Sequence, residues 1–224
     1  MEKYQNREDL IAALADDMTP VRRIRPADGI WLIAFATLVA GLASIAIFEF
    51  WTGMISGEAS AYFWITHGLL LMLGAASTTA LVSSALPRVG ARASAPAWSA
   101  AMLAVVPVAA IISLFSVGDV THSAAYGHAH VGLQDPAAWY CTTASVVAGL
   151  LVGIASIMFL RRGAPVSIER AGWLTGLASG SLGTLAYGIT CPLDTIAHVG
   201  LWHVAPVAIS AVIGRLVVPP LIRW

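Results

Sequence analysis

The chain has 224 residues, of which 58% are hydrophobic and only 11% charged, with twelve basic and twelve acidic side chains in balance. A soluble domain carries about a quarter of its residues as charges, and the mean hydropathy here is +0.80, which excludes an ordinary soluble domain. The apolar residues instead gather in six blocks, at residues 29–48, 63–85, 97–117, 138–160, 173–189 and 199–218. Blocks of roughly 17–23 residues are what helices need to cross about 30 Å of hydrocarbon. The expected fold is therefore all-α, an integral membrane bundle of six transmembrane helices.

Ahead of the first block, residues 1–28 form a separate segment. Asn6 can cap a helix, Glu8 and Asp9 suit its first turn, and Pro20 ends it. Leu10, Ile11, Leu14 and Met18 fall on one stripe at helical spacing. Five acidic residues (Glu2, Glu8, Asp9, Asp16, Asp17) against Lys3 and Arg7 leave this helix at net −3. Membrane-surface helices carry Lys and Arg on their polar face, so anionic lipid would repel this one. An acidic helix with an apolar edge suits a protein partner, and one whose own surface is basic enough to bind nucleic acid. The first block starts near residue 29 and is too long for a signal h-region, so no cleaved leader is expected. Residues 1–28 are thus read as a partner-binding segment and 29–224 as the membrane domain.

The charges between blocks set an orientation. Lys3, Arg7, Arg22, Arg23 and Arg25 precede the first block, and Arg88 and Arg92 follow the second. Arg161, Arg162 and Arg170 follow the fourth, and Arg215 and Arg223 stand toward the end. The loops after the first, third and fifth blocks hold no Lys or Arg. Basic loops mark the cytoplasmic side, so both termini are expected in the cytoplasm. His67, His122, His128, His130, His198 and His203 then fall in or near the outward loops, together with Cys141 and Cys191.

The fourth and fifth blocks form a hairpin centred near Val166, with Cys141 25 residues before it and Cys191 25 after it. Antiparallel helices rising about 1.5 Å per residue bring both sulfurs to similar depth. Cys141, Ser145, Gly149 and Gly153 recur every four residues on one helix. Gly172, Gly176, Gly180, Thr184 and Gly188 do so on the other, with Cys191 a further turn on. Small residues at that spacing let membrane helices approach closely, and the two stripes are expected to face each other. An oxidising outer compartment would allow such a thiol pair to become a disulfide, so a redox or metal-responsive role is expected for Cys141 and Cys191. Two such cysteines can equally be packing residues.

His198 and His203 are the candidate metal ligands, since His with Cys suits zinc, copper or cadmium. Their spacing of five places them on different faces of a continuous helix, unlike the i, i+4 pair of a zinc-protease helix. A preformed site is therefore not expected from them, and solvated or interfacial histidines are. His128 and His130 carry even less signal.

The chain resembles the NrsF family of polytopic anti-sigma factors. The resemblance runs through Leu10-Ile11-Ala12-Ala13-Leu14-Ala15-Asp16-Asp17 and Pro20-Val21-Arg22-Arg23, then Cys141, Arg161-Arg162-Gly163-Ala164-Pro165 and Ala171-Gly172. It continues with Gly183-Thr184-Leu185-Ala186-Tyr187, Cys191-Pro192-Leu193-Asp194, Trp202-His203 and Arg223-Trp224. The Tyr126-Gly127-His128-Ala129-His130 loop has no counterpart in that pattern. The resemblance implies a bacterial inner-membrane protein whose cytoplasmic N-terminus restrains an extracytoplasmic-function (ECF) sigma factor. It also implies release when two outward cysteines, here Cys141 and Cys191, meet oxidants or heavy metals. In that reading Leu10, Ile11, Leu14, Asp16, Asp17 and Met18 bind the partner, and the protein is neither an enzyme nor a direct nucleic-acid binder. It keeps no resident cofactor, and a transient metal at Cys141 and Cys191 stays open.

Two other classes compete. A quinone-linked membrane thiol oxidoreductase would also use outward cysteines, but it generally needs a Cys-x-x-Cys pair and a shuttle pair. A small transporter or haem protein calls for ionisable residues deep in the bundle, where these blocks carry almost none.

Overall fold

The computed structural model describes residues 7–17, 24–86, 93–115 and 136–223. Met18, Pro20, Arg22, Arg23, Arg88, Arg92, His122, His128 and His130 lie outside the described residues. Within them every regular element is a helix: α1 (Arg7–Asp16), α2 (Pro26–Phe48), α3 (Gly53–Ser56), α4 (Ala61–Ser84), α5 (Ala95–Phe115), α6 (Pro136–Leu160), α7 (Ile168–Gly188), α8 (Ile196–Trp202) and α9 (Ala205–Ile222). Pro26 occupies the first position of α2, where a missing N–H costs nothing. The Ser60 hydroxyl caps α4 by accepting from the Phe63 N–H at 3.2 Å, and Ser167 caps α7 through the Arg170 N–H at 3.4 Å.

Five stretches are long and apolar enough to cross a membrane: α2, α4, Ala95–Ile112 of α5, Ala137–Leu160 of α6, and Ile196–Ile222 spanning α8 and α9. Their outer faces expose Trp31, Leu38, Ile47, Trp64, Val105, Val147 and Leu216 among many other large apolar side chains. Such a surface is unsuited to water and suited to lipid.

The block at 173–189 is different in kind. It forms α7, 21 residues long, about 31 Å at 1.5 Å per residue. It is less apolar because other helices, not lipid, surround it: α9, α6, α4 and α2 all pack on it, and Gly172, Gly176, Gly180 and Gly183 are among its buried residues. Its serine and threonine hydroxyls bond within the helix, for example Thr175 to the Ala171 carbonyl and Thr184 to the Gly180 carbonyl, each at 2.8 Å, so burying them leaves no unpaired donor.

The glycine stripes correct one expectation. Those of α6 and α7 do not face each other as paired above. A Cβ at Gly172 would meet the Gly214 carbonyl oxygen at 2.8 Å, and one at Gly180 would meet the Val207 Cα at 2.8 Å. Gly172, Gly176 and Gly180 therefore serve α9, while Gly188 at the end of the stripe faces the His67 ring of α4. The α6 stripe lies on the adjacent face of α7, where a Cβ at Gly149 would come within 2.6 Å of the Ser179 carbonyl oxygen. The row that leads to the second cysteine is Ser179, Gly183, Tyr187 and Cys191, at intervals of four.

The long helices alternate in direction. Arg25, Arg161, Arg162, Arg170 and Arg223 gather toward one end of the bundle. There the Ala164 N–H donates to the Ala85 carbonyl at 3.1 Å, Arg170 reaches the Ala93 carbonyl at 3.2 Å, and Arg215 pairs with Glu169 at 2.9 Å. The opposite end holds Trp51, Ser60, Cys141, Cys191, Asp194 and His198.

Candidate thiol and histidine site

Cys141 lies in the second turn of α6, and Cys191 lies three residues beyond α7, where Pro192 stops the helix from continuing. Both are buried and reduced, and their sulfurs are 3.6 Å apart. That is a contact between thiols, since a disulfide needs about 2.05 Å. The Tyr187 hydroxyl donates to the Cys141 sulfur at 3.3 Å. Phe48 meets the rings of Tyr140 and Tyr187 edge-on, and with Leu193 it packs an apolar wall around the pair.

His198 and His203 enter the same pocket, which overturns the expectation of solvated histidines on separate faces. His198 Nε2 is 3.7 Å from the Cys191 sulfur, and the two imidazole rings have centroids 5.6 Å apart. The reason is a break in the last apolar block. Pro206 has no N–H to give the Trp202 carbonyl, so the helical bond across residues 202–206 cannot form. Thr142 on α6 donates its hydroxyl to that carbonyl at 3.4 Å instead. His203 stands at the break as the residue closing α8, and the rule for a continuous helix does not apply to it.

One ligand atom from each of Cys141, Cys191, His198 and His203 lies within 4.8 Å of all the others, and all four residues are buried. His203 is fully enclosed, and neither of its ring nitrogens has a hydrogen-bond partner among the described residues. His67 on α4 is a further neighbour, one that its sequence context did not single out. It stacks on Phe63 at 3.9 Å and meets His203 edge-on at 5.4 Å. Its Nδ1 lies 2.8 Å from the Phe63 carbonyl oxygen and must carry the proton there, which leaves the buried Nε2 bare. An ionisable ring inside an apolar block was the available signal.

Asp194 anchors the segment carrying Cys191. Its carboxylate accepts from the Ser60 backbone N–H and, at 2.7 Å, from the Ser60 hydroxyl. The residues expected to bind a partner lie elsewhere. On α1, Leu10, Ile11 and Leu14 are 40%, 56% and 60% exposed, and the helix buries none of its residues. Asp16 and Asp17 are exposed at its end.

No curated protein and no solved structure matches the chain. A family model does, over residues 14–224, and its description is NrsF, negative regulator of sigma F. With all of residues 29–224 and the last turn of α1 inside that match, the chain belongs to the NrsF family of negative regulators of a sigma factor.

Proposed function

We propose that the protein is an inner-membrane anti-sigma factor that holds an ECF sigma factor on its N-terminal segment and releases it when Cys141 and Cys191 react. Residues 1–28 dock the partner, and residues 29–224 form the sensor, with the arginine-bearing end cytoplasmic and the cysteines outward. Membership of a family of negative regulators supports the partner class. The exposed Leu10, Ile11 and Leu14, flanked by Asp16, Asp17 and Met18, supply a surface for it.

The observation that carries the sensing half is the 3.6 Å approach of the two sulfurs. Disulfide formation removes two electrons and two protons from the thiols, taken up by an oxidant from the outer compartment, and shortens the sulfur distance to about 2.05 Å. The start of α6 and the end of α7 must then move together. The α7 helix also packs on α9, α4 and α2, so it is the element able to carry a shift toward the arginine-bearing end. A signal can change partner affinity only by favouring one of two packings, and the glycine contacts of α7 with α6 and α9 are where two packings would differ.

The test is co-purification. Full-length chain captured from solubilised membranes under reducing conditions should bring down a sigma factor, and a thiol oxidant should release it. A sigma factor that stays bound after complete oxidation of both cysteines contradicts the sensing half; none bound under any condition contradicts the whole.

A further inference from the structure

We infer that Cys141, Cys191, His198 and His203 form a tetrahedral site that binds one zinc ion. The site stands on geometry alone; its role as the resting form of the sensor rests on the function proposed above.

Zinc bound by two sulfurs at about 2.3 Å and two nitrogens at about 2.0–2.1 Å spans a tetrahedron with edges of about 3.8 Å between sulfurs and about 3.6 Å from sulfur to nitrogen. The sulfurs are 3.6 Å apart, and Cys191 Sγ is 3.7 Å from His198 Nε2. Two of the six edges thus have the length that a bound ion requires. All donor atoms lie within 4.8 Å of one another, so no remaining edge has to shorten by more than about 1.5 Å to close the tetrahedron, a shift that imidazole rotation can supply.

Charge balance favours the same ion. Two thiolates and two neutral imidazoles offset a divalent cation, so the occupied site is neutral inside a bundle where a net charge would be costly. Binding releases the two thiol protons. The Tyr187 hydroxyl already donates to the Cys141 sulfur, the kind of outer contact that steadies a bound thiolate. A zinc-bound His203 would give one nitrogen a partner that it lacks among the described residues. Tetrahedral sulfur–nitrogen donor sets select zinc over hard cations.

The experiment uses full-length, reduced, metal-stripped protein in detergent, titrated with Co2+ as a spectroscopic probe and then with Zn2+. One Co2+ per chain should bind with the intense visible bands of a tetrahedral ion and thiolate charge transfer in the near ultraviolet, and Zn2+ should displace it. X-ray absorption on the zinc form should show sulfur at about 2.3 Å and nitrogen at about 2.0–2.1 Å, two of each. That measurement on unaltered protein keeps the test valid if a variant misfolds. His198→Gln and His203→Gln should each weaken binding at least about tenfold, the lower bound for disturbing even the outer contacts of a site. Absence of binding, a shell of oxygens, or full affinity in His203→Gln with its elution volume unchanged would overturn the site. If no metal binds and the stress response still requires both cysteines, the site is refuted and thiol sensing stands. If zinc binds as described but Cys→Ser variants respond normally in cells, the site holds and the sensor reading fails.

Discussion

Asp194 grips the first residue before α4: its carboxylate accepts both the backbone N–H and the hydroxyl of Ser60, 134 residues away in the chain. Ser60 in turn caps α4 through the Phe63 N–H. The short segment that carries Cys191 is therefore fastened to a long helix, and the sulfur's position does not depend on α7 alone. Asp194→Ala should lower stability by about 1.5–3 kcal/mol, the usual contribution of hydrogen bonds to a charged group. Thermal unfolding in detergent checks it, and an unchanged midpoint would mean that the tie contributes nothing.

Close contact of α6 with α7 should be needed for the sulfurs to meet. Gly149 has no room for a side chain, since a Cβ would lie 2.6 Å from the Ser179 carbonyl oxygen. Gly149→Val should cost about 1–3 kcal/mol through overpacking and cut the yield of the Cys141–Cys191 disulfide under mild oxidation. The intramolecular bond is read as a mobility shift on non-reducing gels. Undiminished yield would show that the cysteines are brought together by other contacts.

Orientation can be tested without the native cysteines, which are too buried to report it. In a Cys141→Ser/Cys191→Ser background, Glu58→Cys and Val166→Cys place thiols at exposed positions on opposite ends of the bundle. A membrane-impermeant thiol reagent on intact spheroplasts should label position 58 and reach position 166 only after permeabilisation. The reverse pattern would invert the topology and put the sulfurs in the cytoplasm.

Docking should depend on the α1 stripe. Leu10→Asp with Leu14→Asp removes two exposed apolar side chains, each contributing up to about 1.5–3 kcal/mol when buried in a partner. Sigma-factor affinity should fall on the order of a hundredfold, with membrane insertion intact. Retention equal to the parent protein would move the binding surface to the loops.

Much of the helical architecture was legible in the sequence, because long apolar blocks report directly on helices able to cross a bilayer. Counting 25 residues each way from Val166 was enough to bring Cys141 and Cys191 level, since rise per residue is nearly constant. Facing is harder than depth. Gly172, Gly176 and Gly180 looked like the partner of the α6 stripe but serve α9, because a helix enclosed on several sides carries more than one row of small residues. The histidines failed for another reason. His198 and His203 converge only because Pro206 breaks the helix and Thr142, sixty residues before Trp202, takes the freed Trp202 carbonyl. A proline near position 203 was visible; that the break would turn His203 inward depends on α6 and could not be read locally. His67 was visible as a histidine, yet its place in the pocket is set by contacts between α4 and the segment around residue 203.

The most direct measurement is sigma-dependent transcription in cells carrying Cys141→Ser, Cys191→Ser or both, before and after oxidant or heavy-metal stress. Ser nearly matches Cys in size, so packing should survive while thiolate chemistry is lost. All three variants should still repress, none should respond, and the double variant should equal either single one, because the sulfurs act as one unit. Full induction in both single variants would contradict this and leave Cys141 and Cys191 as packing residues.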